Sequence, residues 1–312
     1  MPSRARWPRR RTPDFHLSPP AAPGAFADPS VLPVPGGYVA FATGGPDRQV
    51  KVRTSLDLAH WEEGGDGLGA LPDWARPGRT WSPAALRRGD RYVLWYATWH
   101  RASGRQALSV AVADRPTGPY LDASSGPAVF QEDQGGSIDP SPFVDADGQA
   151  YLVWKADANA VGRRAGLYGA ALDGAGTGLA GPPVHLLAHD RRWERPLIEA
   201  PCLLRAGPGR YLLLYSGGRW HTAGYAVGYA VASHPLGPWR KVTRRAPWLH
   251  SDPVGSGPGG QEAFTAHDGR RLLAYHAWDP GRVGGSGVRS LRLGELDLTG
   301  PEPRLAPWPP GG

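Results

Sequence analysis

Three acidic side chains stand at or beside a proline at widely separated points of the chain: Asp28 before Pro29, Asp139 before Pro140, and Glu199 just ahead of Ala200-Pro201. Gathered in one cleft, three carboxylates can divide acid and base work, because like charges repel and push at least one pKa upward. One group then keeps its proton near neutral pH while another stays ionised. Cleaving a glycosidic bond needs that division: a carboxylic acid protonates the leaving oxygen and a carboxylate activates water. Glu199, flanked by Ile198 and Ala200, is the expected acid, since desolvation raises a carboxyl pKa. Asp28 is the expected base, and Asp139 is expected to hold Glu199 in place and tune its pKa. An isolated Asp-Pro more often opens a turn or caps a strand; the register of these three acids with a chain-long repeat favours chemistry.

That repeat is a proline beside a small or acidic residue, an apolar run, a turn of Gly, Asp or Pro, and a second run of aromatic and aliphatic residues. Pro29, Pro83, Pro140, Pro201 and Pro258 mark five copies, at steps of 54, 57, 61 and 57 residues. The second runs read GGYVAFAT, DRYVLWYAT, GQAYLVWK, GRYLLLYSG and GRRLLAYHAW, and two copies end alike, in RPTGPY and HPLGPW. No long amphipathic helix interrupts them. The pattern predicts an all-β fold, a five-bladed β-propeller of four-stranded antiparallel blades around a central channel. The innermost strands of such a ring line the channel, so the positions beside the recurrent proline converge. Residues 1–24 are expected to form a flexible, basic, proline-rich arm, 25–300 the catalytic propeller, and 301–312 a proline-rich tail.

Composition agrees and excludes other classes. Gly 44 and Pro 34 approach the level of disordered chains, but they punctuate apolar runs alongside 13 Trp and 11 Tyr, which marks a turn-rich β protein. The net charge of +7 is nearly all arginine, scattered apart from a cluster in the first eleven residues, so it reads as solvated surface and no nucleic-acid partner is expected. The lone Cys202 excludes an internal disulfide and a cysteine metal cluster, and it reads as a small buried hydrophobe. The basic N-terminus lacks an apolar export segment of roughly 7–15 residues, and no window approaches the roughly 18 apolar residues of a membrane span. A monomeric, cytoplasmic protein is the expectation, with no membrane contact.

The motifs ADPSV (Ala27–Val31), TWSPA (Thr80–Ala84), SIDPSPFVDADGQAYLVWK (Ser137–Lys155), IEAP (Ile198–Pro201), SGPGG (Ser256–Gly260) and YHAW (Tyr275–Trp278) occur in this order over roughly Phe26 to Leu298. In order and spacing they resemble glycoside hydrolase family 43. The resemblance implies a five-bladed propeller enzyme acting on arabinan, arabinoxylan or xylo-oligosaccharides. It implies Asp28 as general base, Glu199 as general acid and Asp139 as pKa modulator. It also implies inversion at the anomeric carbon, with a gap of roughly 6.5–9.5 Å between base and acid for a water. His276 of YHAW matches the family's channel histidine, which holds a calcium or sodium ion through its water shell, although the chemistry needs no cofactor. Trp81 matches an aromatic near the sugar subsite. Arg289 is a candidate clamp for sugar hydroxyls, with Arg292 on the same strand as its rival. One departure is Gln261 after Gly260, where many members have histidine, and it weakens the metal expectation. The expected substrate is an oligosaccharide or polysaccharide of plant hemicellulose or pectin, cleaved at α-L-arabinofuranosyl or β-D-xylosyl linkages. Two alternatives stay open: a catalytically silent carbohydrate-binding propeller, and a related five-bladed enzyme that is fructosidase-like or a glycoside phosphorylase.

Overall fold

The computed structural model describes residues 16–308. It is a ring of five sheets with antiparallel order from the axis outward. Blade 1 is β1 (Ser30–Val34), β2 (Gly37–Thr43), β3 (Val50–Ser55) and β4 (Glu62–Asp66). Blade 2 contains β5 (Leu68–Ala70), β6 (Ala75–Arg88), β7 (Arg91–His100), β8 (Arg105–Ala113) and β9 (Tyr120–Leu121); here the short β5 pairs parallel with β9 as a fifth strand. Blade 3 is β10 (Ser137–Val144), β11 (Ala150–Ala156), β12 (Gly166–Ala171) and β13 (Val184–Ala188). Blade 4 is β14 (Ile198–Gly207), β15 (Arg210–Gly217), β16 (Ala226–Ala232) and β17 (Arg240–Lys241). Blade 5 is β18 (Ser256–Thr265), β19 (Arg271–Trp278), β20 (Arg289–Asp297) and β21 (Arg304–Pro307).

The second strand of each blade reads as a continuous apolar run because both faces of a blade are covered by its neighbours, so alternation is lost. In β7, for example, Val93 to Ala97 are all buried. The core is accordingly split into five clusters, one in each wedge between adjacent blades. Leu94 and Tyr96 pack against blade 1 through Phe41 and Val52, whereas Val93 and Trp95 pack against blade 3 through Leu152 and Trp154.

The ring closes without strand exchange, since blade 1 is wholly N-terminal and blade 5 wholly C-terminal. Closure falls to the segment before β1. Leu17 and Ser18 are buried, Ser18 N–H donates to Tyr275 Oη (2.8 Å), Ala21 N–H donates to Leu291 O (2.8 Å) and Phe26 N–H donates to Arg289 O (2.8 Å). The expected arm is therefore packed from Leu17 onward, and its residues 1–15 lie outside the described part. The expected tail is also part of the propeller through Trp308: β21 is the outer strand of blade 5, and Trp308 is buried.

The inner strands share a device the sequence hid. Asp28, Ser82, Asp139 and Ala200 are left-handed, with φ of 52°, 46°, 56° and 47°, and Gly260 joins them at 57°. In blades 2 to 5 the ladder is bulged at this point. The left-handed region costs a non-glycine residue roughly 1–2 kcal/mol, and such strain kept at matching positions around an axis is a marker of a functional centre. The fifth equivalent is Gly260-Gln261, not Gly257-Pro258 as the proline spacing suggests. β18 carries two bulges, and only Gly260 reaches the axis, where an added Cβ would lie 2.6 Å from His276 Nδ1 and 2.7 Å from Asp28 Oδ1. Gly260→Ala should therefore lower kcat/KM by on the order of 10²-fold through displacement of Asp28, with the fold retained, as steady-state kinetics and circular dichroism would show.

Candidate active site

Residues at or beside the left-handed positions of blades 1 to 4 line a cavity of about 520 Å³ at one end of the axis, Asp28, Asp139 and Glu199 among them, together with Trp81 and Arg289. The three carboxylates predicted from sequence thus meet in one place, and the two candidate sugar-binding residues stand with them. Below, the axis narrows to a passage of about 30 Å³ between Asp28, Ser82, Asp139, Ala200 and Gln261.

Each carboxylate has its own partners. Asp28 Oδ2 accepts from Thr43 Oγ1 (2.6 Å), while Oδ1 lies 3.4 Å from His276 Nδ1 and 3.7 Å from an Arg289 terminal nitrogen. Asp139 accepts from Ser82 Oγ (2.9 Å) and from the backbone N–H of Ala200 (2.9 Å). Burial, followed by the charge of Glu199, pushes Asp139 up to about 7 against the pull of Lys155 and the Ala200 N–H. Glu199 is offset by one residue from the left-handed position, which turns it toward β11 and β16: Oε2 meets Lys155 Nζ (3.0 Å) and Oε1 accepts from Tyr225 Oη (2.9 Å). Its setting is therefore more polar than Ile198 and Ala200 suggested. Lys155, buried at 1 % exposure, also pairs with Asp157 (2.9 Å). Burial opposes the Lys155 charge, but Glu199, Asp157 and Asp139 outweigh it and hold the ammonium above its usual range.

Arg289 lies against two indoles, its guanidinium carbon 4.5 Å from the ring centroid of Trp220 and 5.8 Å from that of Trp278, and it faces Asp28 as well as the cavity. Its rival Arg292 is buried behind the site and donates to the carbonyls of Ser18 and Val254. His276 is fully buried below Asp28, and burial, then Arg289, drives its pKa well below the usual value. The fit of His276 to a cation is poor. Its Nδ1 accepts the Asp28 N–H (3.1 Å), so in the neutral ring the proton sits on Nε2, a donor with no partner among the described residues. A ring N–H offers no lone pair to a cation and competes with it for the oxygen of a bridging water. Among the described residues no group of three or more His, Cys, Asp or Glu side chains could hold a metal ion.

Cys202 is buried, as its neighbours in sequence implied, and beside it lies a carboxyl that sequence reasoning passed over. Glu262 accepts from Ser141 Oγ (2.9 Å), and burial pushes it up to about 8. A carboxyl raised in the native state binds its proton more tightly than in the unfolded chain, so stability falls as pH rises from about 4.5 through 8. Glu262→Gln should therefore raise Tm at pH 8.5 by several degrees, at ~2–4 °C per kcal/mol, and change it little at pH 4. Thermal unfolding at the two pH values checks this.

The matching family model, described as glycosyl hydrolases family 43, covers residues 18–300. The chain belongs to this family. Among curated relatives, an extracellular endo-α-(1→5)-L-arabinanase of Thermotoga petrophila is 26% identical over 249 residues, 68% of this chain and 50% of that protein. A β-D-galactofuranosidase of Aspergillus niger is 24% identical over 271 residues, 82% of this chain and 75% of that protein. The chain thus spans about half the length of the first of these relatives. A thermostable family-43 glycoside hydrolase of known structure superposes with a TM-score of 0.84 at 23% identity, covering 96% of this chain and 99% of the other, which supports the propeller fold. No helix among the described residues is long and apolar enough to cross a membrane.

As a family 43 member, the chain also shows residues that sequence reasoning missed. Lys155 stands inside an otherwise apolar strand, AYLVWKA, and a buried lysine there needs a carboxylate partner, which was the available signal. Thr43, at the end of β2, and Tyr225, in the loop before β16, gave none, since each reaches its carboxylate from a different segment of the same blade, a contact only the fold brings about.

Proposed function

We propose that the protein is an inverting glycosidase that hydrolyses α-L-arabinofuranosyl or β-D-xylosyl linkages of oligosaccharides, with Asp28 as base, Glu199 as acid and Asp139 positioning and tuning Glu199. The observation that carries this is the placement of three carboxylates with distinct partners around one cavity. Asp28 sits on blade 1 and Glu199 on blade 4, blades that are not neighbours, so base and acid approach a sugar from different sides, the arrangement that inversion through a water requires. Thr43, Arg289 and His276 orient Asp28, which takes a proton from that water as it attacks the anomeric carbon. Glu199 gives its proton to the departing oxygen, and Tyr225 and Lys155 receive the carboxylate that results. Asp139 binds the N–H of Ala200, the residue next to Glu199, and so fixes its backbone. Trp81 offers an indole face to the apolar side of a sugar ring.

Aryl α-L-arabinofuranoside, aryl β-D-xyloside and linear arabinan test this, with proton NMR of the first-formed anomer. The expected result is turnover of at least one with the inverted anomer released first. A retained anomer or a phosphate requirement would favour the related retaining or phosphorolytic enzymes, and sugar binding without turnover would favour a silent propeller.

A further inference from the structure

The rim of the cavity beside Glu199 is made by two loops, residues 189–197 between β13 and β14 and residues 218–225 between β15 and β16. They are tied together, since Gly218 N–H donates to Glu194 O (3.1 Å) and Leu197 O (3.2 Å). Both reach the site: Leu197, Arg219, Trp220 and His221 line the cavity. On these joined segments Arg192, Arg195 and Arg219 are exposed, and among the described residues no carboxylate pairs with any of them. The acids that share the loops are already used, for Asp190 and Glu194 both bind Lys241 (2.8 and 2.7 Å). Arg195 stands between Glu194 and Leu197, whose carbonyls hold the residue before Arg219, so two unneutralised guanidinium side chains start from adjoining backbone. Of the arginines that look scattered in sequence, Arg219 thus lines the cavity and Arg195 sits on the loop tied to it, while the cavity also carries Asp28, Asp139 and Glu199.

A rim of this kind is matched to a ligand whose scissile sugar is neutral and whose next residue is anionic, because planar guanidinium groups pair with carboxylates through parallel N–H···O bonds. The side is also defined. A general acid stands next to the leaving oxygen, so the Glu199 rim faces the departing sugar. We propose that Arg195 and Arg219 recognise a uronate carboxylate on the leaving-group side of the bond, which makes the substrate class a glycan whose neutral pentose is attached to a uronic acid. This rests on the glycosidase reading with Glu199 as acid.

The test uses synthetic disaccharides in which an α-L-arabinofuranosyl or β-D-xylosyl unit is linked to a hexuronic acid, each as free acid and as neutral methyl ester. At low ionic strength kcat/KM should favour the acid over its ester by about tenfold, and the preference should shrink toward unity in about 0.5 M NaCl, where the screening length is only a few ångströms. The Arg195→Gln/Arg219→Gln double variant should bring the acid-to-ester ratio toward one, whereas Arg195→Lys/Arg219→Lys should retain part of it. A wild-type ratio of one with ester turnover intact overturns the inference and leaves the glycosidase reading standing. A preference that persists in the glutamine double variant overturns the assignment to these arginines, and silence on all four compounds overturns the inference, with turnover of the aryl glycosides deciding separately whether the glycosidase reading stands.

Discussion

Glu199→Ala should lower kcat/KM by roughly 10²–10⁴-fold on a substrate with a sugar leaving group and by far less on an aryl glycoside, because a general acid is needed in proportion to the basicity of the departing oxygen. A phenolate that carries its own charge leaves without the proton that an alkoxide requires. Asp28→Asn should instead lose a similar factor on both substrates, since activation of water does not depend on what leaves. The contrast between the two variants separates their roles, which a loss of activity alone cannot do. Glu199→Gln is a useful companion, because it keeps an acceptor for Tyr225 Oη and a polar partner for Lys155, whose charge also remains paired with Asp157. Equal losses on both leaving groups in the Glu199 variants would assign the proton donor elsewhere.

How much of this was legible beforehand depends on whether the chain marks a position by its own residues or by neighbours in space. The blades were readable because each repeats a proline, a turn and an apolar second strand, and Asp28, Asp139 and Glu199 followed from that period. The fifth blade was misaligned by three residues because β18 has Gln261 in place of the proline and a chance Pro258 just before it. Backbone conformation does not separate the two glycines, since Gly257 and Gly260 both have φ of 57°; the closeness of Gly260 to His276 and Asp28 does, and sequence carries no mark of it. Tyr225 was invisible for another reason: it reaches Glu199 Oε1 and stacks on His276 at 6.0 Å from a loop end whose sequence resembles any other tyrosine. The ends of the domain were misjudged because proline-rich composition says nothing of partners. Leu17 and Ser18 are buried only because blade 5 leaves a face for them.

Lys155 carries the second large effect. It is the cation buried among Glu199, Asp157 and Asp139, and removing one partner of a buried ion pair leaves uncompensated charge that costs about 3–5 kcal/mol. Lys155→Met, close in length and apolar, should show that loss in denaturant unfolding. The pH dependence distinguishes charge from packing. Asp139 titrates at about 7 in the folded protein against an ordinary value of 3.8, so stability already falls as pH rises across that window, the native state holding a proton that the unfolded chain releases. Lys155 pulls Asp139 downward; without it the carboxyl rises further, and the window of falling stability extends to higher pH. The variant should therefore lose more stability at pH 8 than at pH 4, where protonated carboxyls need no counterion. An ionisation near 7 is expected in the pH profile of kcat/KM, and in the variant it should move upward, as the coupled carboxylates lose their shared cation. A loss that is the same at both pH values would mean that Lys155 acts by filling space, and a downward move of the ionisation would contradict the electrostatic role given to it.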